Sequence, residues 1–120
     1  MIGIDILEID RLKNLNFELL LSKVFTEYER EYISSKNDKY STAAGIFCCK
    51  EAAIKVLGEF ISLKKLLDIE VRHEASGKPY IVLHNKMREK LYTLGYNKIE
   101  ISISHSKNIA TAVAIATLNI

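Results

Sequence analysis

The sequence of 120 residues contains no tryptophan, a single proline and only two cysteines. The cysteines, Cys48 and Cys49, are adjacent, and a disulfide between neighbouring residues is strained. Their spacing also matches no cysteine-based metal site. We therefore expect two free thiols that pack as small side chains in a reducing compartment. Because Pro79 is the only proline, a proline-rich linker is excluded as well.

Long hydrophobic runs and a strong charge of either sign are also absent. No basic segment followed by a long apolar run opens the sequence, so we expect no signal peptide. The apolar stretches are too short to span a bilayer, and a net charge of +2 does not by itself indicate nucleic-acid binding. We expect one domain over residues 1–120, located in the cytoplasm, with no nucleic-acid or membrane partner.

Alternating apolar and polar side chains predict five strands. In the first of them, the isoleucines point one way while Gly3, Asp5 and Leu7 point the other way. A turn at Lys107 and Asn108 is expected to join the last two strands as a hairpin. The predicted strands cover residues 2–9, 66–72, 80–83, 99–104 and 109–117.

Helix signals occupy the segments between these strands. Thr26 and Glu29 have the spacing of a capping box, and Asp10 is expected to cap a short helix. The longest helix is expected to end before Gly58, a typical stop signal. The predicted helices cover residues 11–13, 17–24, 27–33, 41 or 42 to 57, and 85–94.

The order of these elements lacks a regular strand–helix–strand rhythm, which indicates the α+β class. We expect a mostly antiparallel sheet packed against a long central helix. Small side chains on the last strand would let the helix that ends before Gly58 pack closely on the sheet. These are Ala110, Ala112, Ala114 and Ala116.

Acidic and basic residues in the strand and helix segments could carry chemistry. Asp5 lies in the middle of a predicted strand, where an unpaired buried carboxylate would be costly. Glu51 and Lys55 are four residues apart on the long helix, in the order that favours an ion pair. Ordinary structural roles are open for all three residues.

Two turns add further polar groups. The turn Gly77-Lys78-Pro79 could contact a phosphate or only reverse the chain. Ser104 and His105 could belong to a hydrolase, although no nucleophile-elbow pattern surrounds the serines of this segment. His73 and His84 have no partner pattern, so we expect them to be surface or structural residues.

A divalent cation would connect the two acidic residues. Asp5 and Glu51 offer the hard oxygen ligands that Mg²⁺ prefers, and Mg²⁺ usually takes few protein carboxylates. Its remaining ligands are then water and substrate phosphate. Lysines nearby would neutralise phosphate oxygens. This combination is typical of a phosphoryl-type transfer site.

Taken in order, these segments resemble the holo-acyl-carrier-protein synthase family, the single-domain type of the 4′-phosphopantetheinyl transferase superfamily. The resemblance covers essentially the whole chain and implies that family's fold. One position departs from the family pattern, because Ile46 stands where members often carry arginine. The segments that match are GIDILEIDR (3–11), FTEYEREY (25–32), FCCKEAAIKVLG (47–58), GKP (77–79) and SISHS (102–106).

The resemblance implies a reaction of fatty acid biosynthesis. In it, 4′-phosphopantetheine passes from coenzyme A to a serine of apo-acyl carrier protein, and adenosine 3′,5′-bisphosphate leaves. Asp5 and Glu51 would bind Mg²⁺, for which Mn²⁺ could substitute, with Glu8 supporting the site through water. Lys55 would contact the phosphates as a third catalytic residue. The general base is open between Glu51 and a metal-bound water. Further coenzyme A contacts are implied for Lys50, Gly77, Lys78, Pro79 and His105.

The resemblance also implies protein partners. Arg11, Lys13 and Lys23 would form a basic docking surface for the acidic carrier protein. Family members of this length form homotrimers with active sites at subunit interfaces, which implies the same assembly here. Two other functions stay open. One is a non-catalytic domain that binds coenzyme A or carrier protein, and the other is a metal-independent hydrolase that uses Ser104 and His105.

Overall fold

The computed structural model describes residues 1–14, 16–59 and 62–120. Helices and strands are mixed along the chain, as expected for the α+β class. In chain order they are β1 (Ile2–Glu8), α1 (Asp10–Lys13), α2 (Phe17–Val24), α3 (Glu27–Ser34), α4 (Lys39–Val56), α5 (Leu63–Leu67), β2 (Ile69–His73), β3 (Pro79–Leu83), α6 (Asn85–Thr93), β4 (Lys98–His105) and β5 (Ile109–Thr117).

The strands in the described ranges form two antiparallel sheets. One has the order β1-β5-β4, and the other pairs β2 with β3. In the three-stranded sheet Ala112 of the central strand lies between Asp5 on one side and Ile103 on the other. The predicted hairpin between β4 and β5 is confirmed, and Ser106 N donates to Ile109 O at 2.9 Å where it closes.

Helix α4 packs on one face of the three-stranded sheet, as the alanines of β5 predicted. The approach is closest at Gly3, where an added Cβ would lie 2.2 Å from the carbonyl oxygen of Ala52. Helices α3 and α5 and strand β2 cover the other sides of α4, so this helix is the centre of the core. The alanines that β5 turns toward it, Ala110, Ala112, Ala114 and Ala116, are all buried.

Side-chain caps fix where the helices begin. The capping box at α3 is confirmed, since Thr26 N donates to Glu29 Oε1 at 2.8 Å and Glu29 N donates to Thr26 Oγ1 at 3.3 Å. Helix α4 begins earlier than predicted, because Asp38 caps it by accepting from Ser41 N at 3.1 Å. Gly58 follows its C-terminal end with a φ of +68°, as its stop signal indicated.

Two further expectations, a strand boundary and a helix cap, are wrong. Leu66 belongs to α5 rather than to a strand, because Ser62 caps that helix by accepting from Lys65 N at 3.2 Å, and β2 begins only at Ile69. Asp10 is the first residue of α1, and its side chain makes no capping hydrogen bond.

The outer face of the three-stranded sheet is apolar and uncovered in the single chain. Ile2, Ile4 and Ile6 point away from α4 and are 68 %, 65 % and 66 % exposed, respectively. Ile115 pairs with Ile2 on this face and is also exposed. Separately, none of the described helices is both long enough and apolar enough to cross a membrane.

Candidate active site

The side chains of Asp5 and Glu51 meet where β1 packs against α4. Asp5 lies on the inner face of the strand, and Glu51 reaches it from the helix close enough for the carboxyl groups to hydrogen-bond. Burial raises the pKa of Glu51 to about 8, helped by the hydrogen bond and charge of Asp5. Two acids that are distant in sequence are thus brought together, as predicted.

Lys55 adds a positive charge to this pair from the solvent side. Its Nζ donates to Asp5 Oδ1 at 3.2 Å and to the carbonyl oxygen of Ile4 at 2.8 Å. The expected helical ion pair with Glu51 is therefore replaced by one with Asp5, although the Lys55 charge still lowers the Glu51 pKa. Since the Lys55 side chain is half exposed, its ammonium can also reach an incoming anion.

A buried thiol lies beneath the carboxylates, a contact the sequence did not indicate. Cys48 Sγ donates to the carbonyl oxygen of Ala110 at 3.5 Å and lies against Asp5. Burial and the Asp5 charge raise the pKa of Cys48 far above its usual range. The thiol therefore stays protonated and inert, which is consistent with the packing role expected for both cysteines.

The chemistry of this donor set suits a hard cation. In the described residues no cluster of three or more histidine, cysteine or acidic side chains could hold a metal, so Asp5 and Glu51 would have to act as a pair. Two protein carboxylates with open positions are typical of Mg²⁺ sites. A cation between them would offset the burial and the Asp5 charge that together raise the pKa of Glu51.

A cavity of about 210 Å³ is lined by three other residues for which the sequence implied coenzyme A contacts, Gly77, Pro79 and His105. It lies between the turn after β2, the end of β4 and the first half of α4. Its wall includes Ile46, which is 2 % exposed, so the position where family members often carry arginine is apolar here. The remaining lining residues are Tyr32, Ser41, Thr42, Gly45, His73 and Ile103.

His73 lies in the cavity wall and stacks on Tyr32, with ring centroids 3.7 Å apart and planes within 3°. Burial lowers the pKa of His73, so its ring is neutral at physiological pH. No pattern in the sequence indicated that His73 would line a site. The only available signal was its position as the last strand residue before the turn that carries Gly77.

Two lysines lie elsewhere. Lys50 was expected to line a coenzyme A pocket, and this expectation is corrected: its side chain is fully buried and its Nζ bonds Glu29 and the carbonyl oxygen of Val24. Lys78 is exposed and lines a separate groove between β3 and β4, together with Glu74.

The residues expected to dock the carrier protein are exposed, and so is Glu8. Arg11 lies close enough to the carboxylate pair to lower the pKa of Glu51. Lys13 contacts Asp10 on its own helix, at 3.6 Å. Lys23 lies in the last turn of α2.

The serine–histidine alternative does not fit the geometry. Ser104 and His105 are consecutive residues of β4 and pair with successive residues of β5. Their side chains therefore point to opposite faces of the sheet and cannot act on one another.

Within one chain, the carboxylate pair and the cavity lie on either side of α4. Asp5 is on β1 and Ile103 is on β4, with Ala112 between them. The helix packs over this central row, and Gly45 of α4 approaches Ile103 on the cavity side. A single ligand contacting both regions would have to pass around the helix.

Similarity to known proteins defines the enzyme class. The chain belongs to the 4′-phosphopantetheinyl transferase superfamily, whose sequence model matches residues 1–114. This confirms the resemblance seen in the sequence and identifies the chain as an enzyme of that superfamily.

Within the superfamily, relatives similar over nearly the full length include holo-[acyl-carrier-protein] synthases. Those of Alkaliphilus metalliredigens and Caldicellulosiruptor saccharolyticus are 46 % and 43 % identical, covering 97 % and 96 % of this chain and 97 % and 94 % of their own lengths. The Helicobacter pylori enzyme, solved in complex with coenzyme A, superposes with a TM-score of 0.80 at 32 % identity, covering 98 % of this chain and 100 % of that one. The Bacillus anthracis enzyme, in complex with CoA (3′,5′-ADP), gives 0.80 at 30 % identity and coverages of 98 % and 96 %.

Proposed function

We propose that this chain transfers 4′-phosphopantetheine from coenzyme A to a serine of apo-acyl carrier protein, a step of fatty acid biosynthesis. The observation that carries this proposal is the contact between Asp5 and Glu51, with Lys55 beside them. The solved relatives with coenzyme A bound support the identity of the donor. A cytoplasmic location is part of the proposal, because both substrates occur there.

Asp5 and Glu51 would hold Mg²⁺, or Mn²⁺ in its place. When bound, the cation supplies positive charge that stabilises the phosphoryl oxygens and the leaving phosphate. Lys55 adds a second charge and can donate to a phosphate oxygen, since its side chain is half exposed. The serine hydroxyl gives its proton to a general base, and its oxygen bonds to the β-phosphorus of coenzyme A. The bond from that phosphorus to the bridging oxygen breaks, so adenosine 3′,5′-bisphosphate leaves with that oxygen.

The cavity at Gly77, Pro79 and His105 would bind another part of coenzyme A. Its volume of about 210 Å³ is smaller than that of pockets that enclose a drug-sized ligand, which start at about 300 Å³. One chain therefore offers a subsite for coenzyme A rather than a complete pocket.

A homotrimer with shared sites would complete the pocket. Two observations favour it: the carboxylate pair and the cavity lie on opposite sides of α4, and the sheet presents Ile2, Ile4 and Ile6 to solvent. An exposed apolar face of this kind marks an interaction surface. In a symmetric ring, the carboxylates of one subunit can face the cavity of the next.

The carrier protein would dock on the exposed basic residues Arg11, Lys13 and Lys23. Arg11 also acts on Glu51, so this surface adjoins the carboxylate pair. A docked carrier protein could therefore present its serine beside the phosphates without a large rearrangement.

The deciding experiment incubates the protein with apo-acyl carrier protein, coenzyme A and Mg²⁺. We expect mass spectrometry to find the phosphopantetheine group on the carrier protein, and to find none with chelator or with a carrier whose acceptor serine is alanine. Coenzyme A binding without transfer would favour the non-catalytic alternative. Modification that persists in chelator would contradict the metal-dependent mechanism.

A further inference from the structure

A fully buried ion pair joins the middle of α4 to its surroundings. Lys50 Nζ donates to Glu29 Oε1 and, at 2.7 Å, to the carbonyl oxygen of Val24. The same Glu29 oxygen accepts from Thr26 N at 2.8 Å, and its other oxygen accepts from Val71 N at 2.7 Å. One carboxylate thus binds α4 through a side chain, and α3 and β2 through backbone amides.

The energetics of such a pair favour a geometric role over a stabilising one. Burial raises the pKa of Glu29 and lowers that of Lys50, because both charges lose their water. Replacing a buried ion pair by apolar residues of similar size is often neutral or stabilising, whereas removing one partner is strongly destabilising. The pair supplies hydrogen bonds of fixed direction among three elements, which an apolar contact would not supply.

The three elements tied by Glu29 form part of the cavity wall, and the turn after β2, the start of β3 and the end of β4 form the rest. Helix α3 carries Tyr32, strand β2 ends at His73, and α4 carries Gly45 and Ile46. The spacing of these walls decides which groups the cavity admits. No lining residue comes from the ion pair itself, so any effect on a ligand must act through the walls.

We propose that Glu29 and Lys50 are positioning residues that hold α3, α4 and β2 at the spacing at which the cavity binds coenzyme A. This inference rests on the proposed function. The pair touches neither the substrate nor the carboxylates Asp5 and Glu51. Its loss should therefore weaken coenzyme A binding while leaving the binding of Mg²⁺ unchanged.

The test compares Lys50→Met with the double variant Glu29→Gln/Lys50→Met. The single variant leaves a buried carboxylate without its cation, and we expect its melting temperature to fall sharply. The double variant removes both charges, and glutamine can still accept a backbone amide, so its melting temperature should recover most of that loss. Its KM and calorimetric Kd for coenzyme A should remain raised about tenfold, while Mg²⁺ shifts its melting temperature as in the wild type.

Lys65→Met is the matched control, because it breaks the surface ion pair of Lys65 with Glu59 at 2.9 Å, outside the cavity. We expect unchanged coenzyme A affinity for it. A stable double variant with the wild-type KM and Kd for coenzyme A would overturn the inference. If the double variant does not fold, Glu29→Asp is measured instead, because it keeps both charges but is one methylene too short to reach Thr26, Val71 and Lys50 together. The same expectation and the same overturning result apply to it. Absence of transfer by the wild type would instead overturn the proposed function and this inference with it.

Discussion

The surroundings of Glu51 raise its pKa, and this has a measurable consequence for stability. Its pKa rises to about 8 in the folded protein because it is buried beside Asp5, whereas an unfolded glutamate titrates near 4.5. The folded state therefore holds a proton between these values that the unfolded state has released. Its contribution to stability is complete below pH 4.5 and is lost as pH rises through about 8.

We predict that the free energy of unfolding of the metal-free protein contains a component that falls between pH 4.5 and 8. Mg²⁺ should stabilise the protein more at pH 8 than at pH 6, because binding competes with that proton. Glu51→Gln should remove both effects and lower transfer by about 100-fold or more. Urea denaturation at both pH values, with chelator or with Mg²⁺, measures the stability effects, and a transfer assay measures the loss of activity. Near-normal turnover by Glu51→Gln would contradict the metal role.

The basic surface can be tested without disturbing the carboxylate pair. Since Arg11 acts on Glu51, reversing its charge would also change the site, so Lys13→Glu/Lys23→Glu is the cleaner variant. We expect its KM for carrier protein to rise about tenfold at low salt while KM for coenzyme A changes little, because steering acts on the macromolecule. Lys86→Glu, on an exposed turn of α6, is the control. Salt should screen this effect, so the variant and the wild type should have similar KM values for carrier protein at high salt. Equal effects on both substrates, or a difference in KM for carrier protein that persists at high salt, would contradict docking at Lys13 and Lys23.

At single positions, the sequence revealed residues whose chemistry is unusual for their setting. Asp5 was recognisable because a carboxylate in mid-strand needs a partner, and the family pattern supplied Glu51. The prediction for Lys50 failed, because the family pattern implied a coenzyme A contact while its buried partner, Glu29, lies 21 residues away in the sequence. The position of Cys48 beneath Asp5 depends on how α4 is rotated over the sheet, which periodicity around a helix buried on all sides does not define.

Among the elements, β1 and α4 are held together by their small residues. An added Cβ at Gly3 would overlap the Ala52 carbonyl oxygen, and backbone cannot give way there without moving the helix. The same contact sets the separation of Asp5 and Glu51. Packing at this glycine therefore bears on stability and on the active site together.

We predict that Gly3→Ala lowers the free energy of unfolding by about 1–3 kcal/mol, the range typical of an overpacked core. Gly45→Ala is the matched comparison. Its Cβ would meet the methyl group of Ile103 at 3.0 Å, a side-chain atom that can shift, so the loss should be smaller. Urea denaturation of both variants gives the measurement. A Gly3→Ala protein as stable as the wild type would show that the helix can move away from the strand.

Most element positions could be predicted because caps and alternation act locally. The capping box at Thr26 and the hairpin before β5 depend on neighbours within a few residues. The boundary at 66–72 failed because Leu66 and Leu67 suit a strand as well as a helix. The Ser62 cap and the buried neighbours of Ile69 decide between the two, and the second of these is a tertiary contact.

At the scale of the whole molecule, the proposed shared site can be tested by mixing defective subunits. Glu51→Gln should lack a working carboxylate pair, and His105→Ala should lack a working cavity. The two variants are unfolded, mixed in equal amounts and refolded together. Each half of a shared site then comes from either variant with equal chance, so about a quarter of the sites combine two intact halves. We therefore predict recovery of up to about a quarter of wild-type activity, from two nearly inactive proteins.

Ile4→Lys provides the companion measurement, because it places a charge at the centre of the exposed apolar face. We expect sedimentation to give three times the chain mass of 13.6 kDa for the wild type and a smaller species for the variant. A mixture no more active than its components, or a fully active monomer, would contradict the shared site. The proposed trimer came from the family resemblance and not from the pattern of β1, since the alternation in that strand does not tell which of its faces meets the helix and which is left for a partner.

The two buried thiols of α4 also serve as an internal reporter. Cys48 and Cys49 are both 0 % exposed and face different neighbours, Cys48 toward the Asp5 side of the sheet and Cys49 toward Glu29. An alkylating reagent can reach either sulfur only when the helix separates from what covers it. The rate of alkylation at each cysteine, resolved by peptide mapping, would thus reveal which side of the central helix opens more readily. The same rates measured with coenzyme A would show whether its binding slows that local opening.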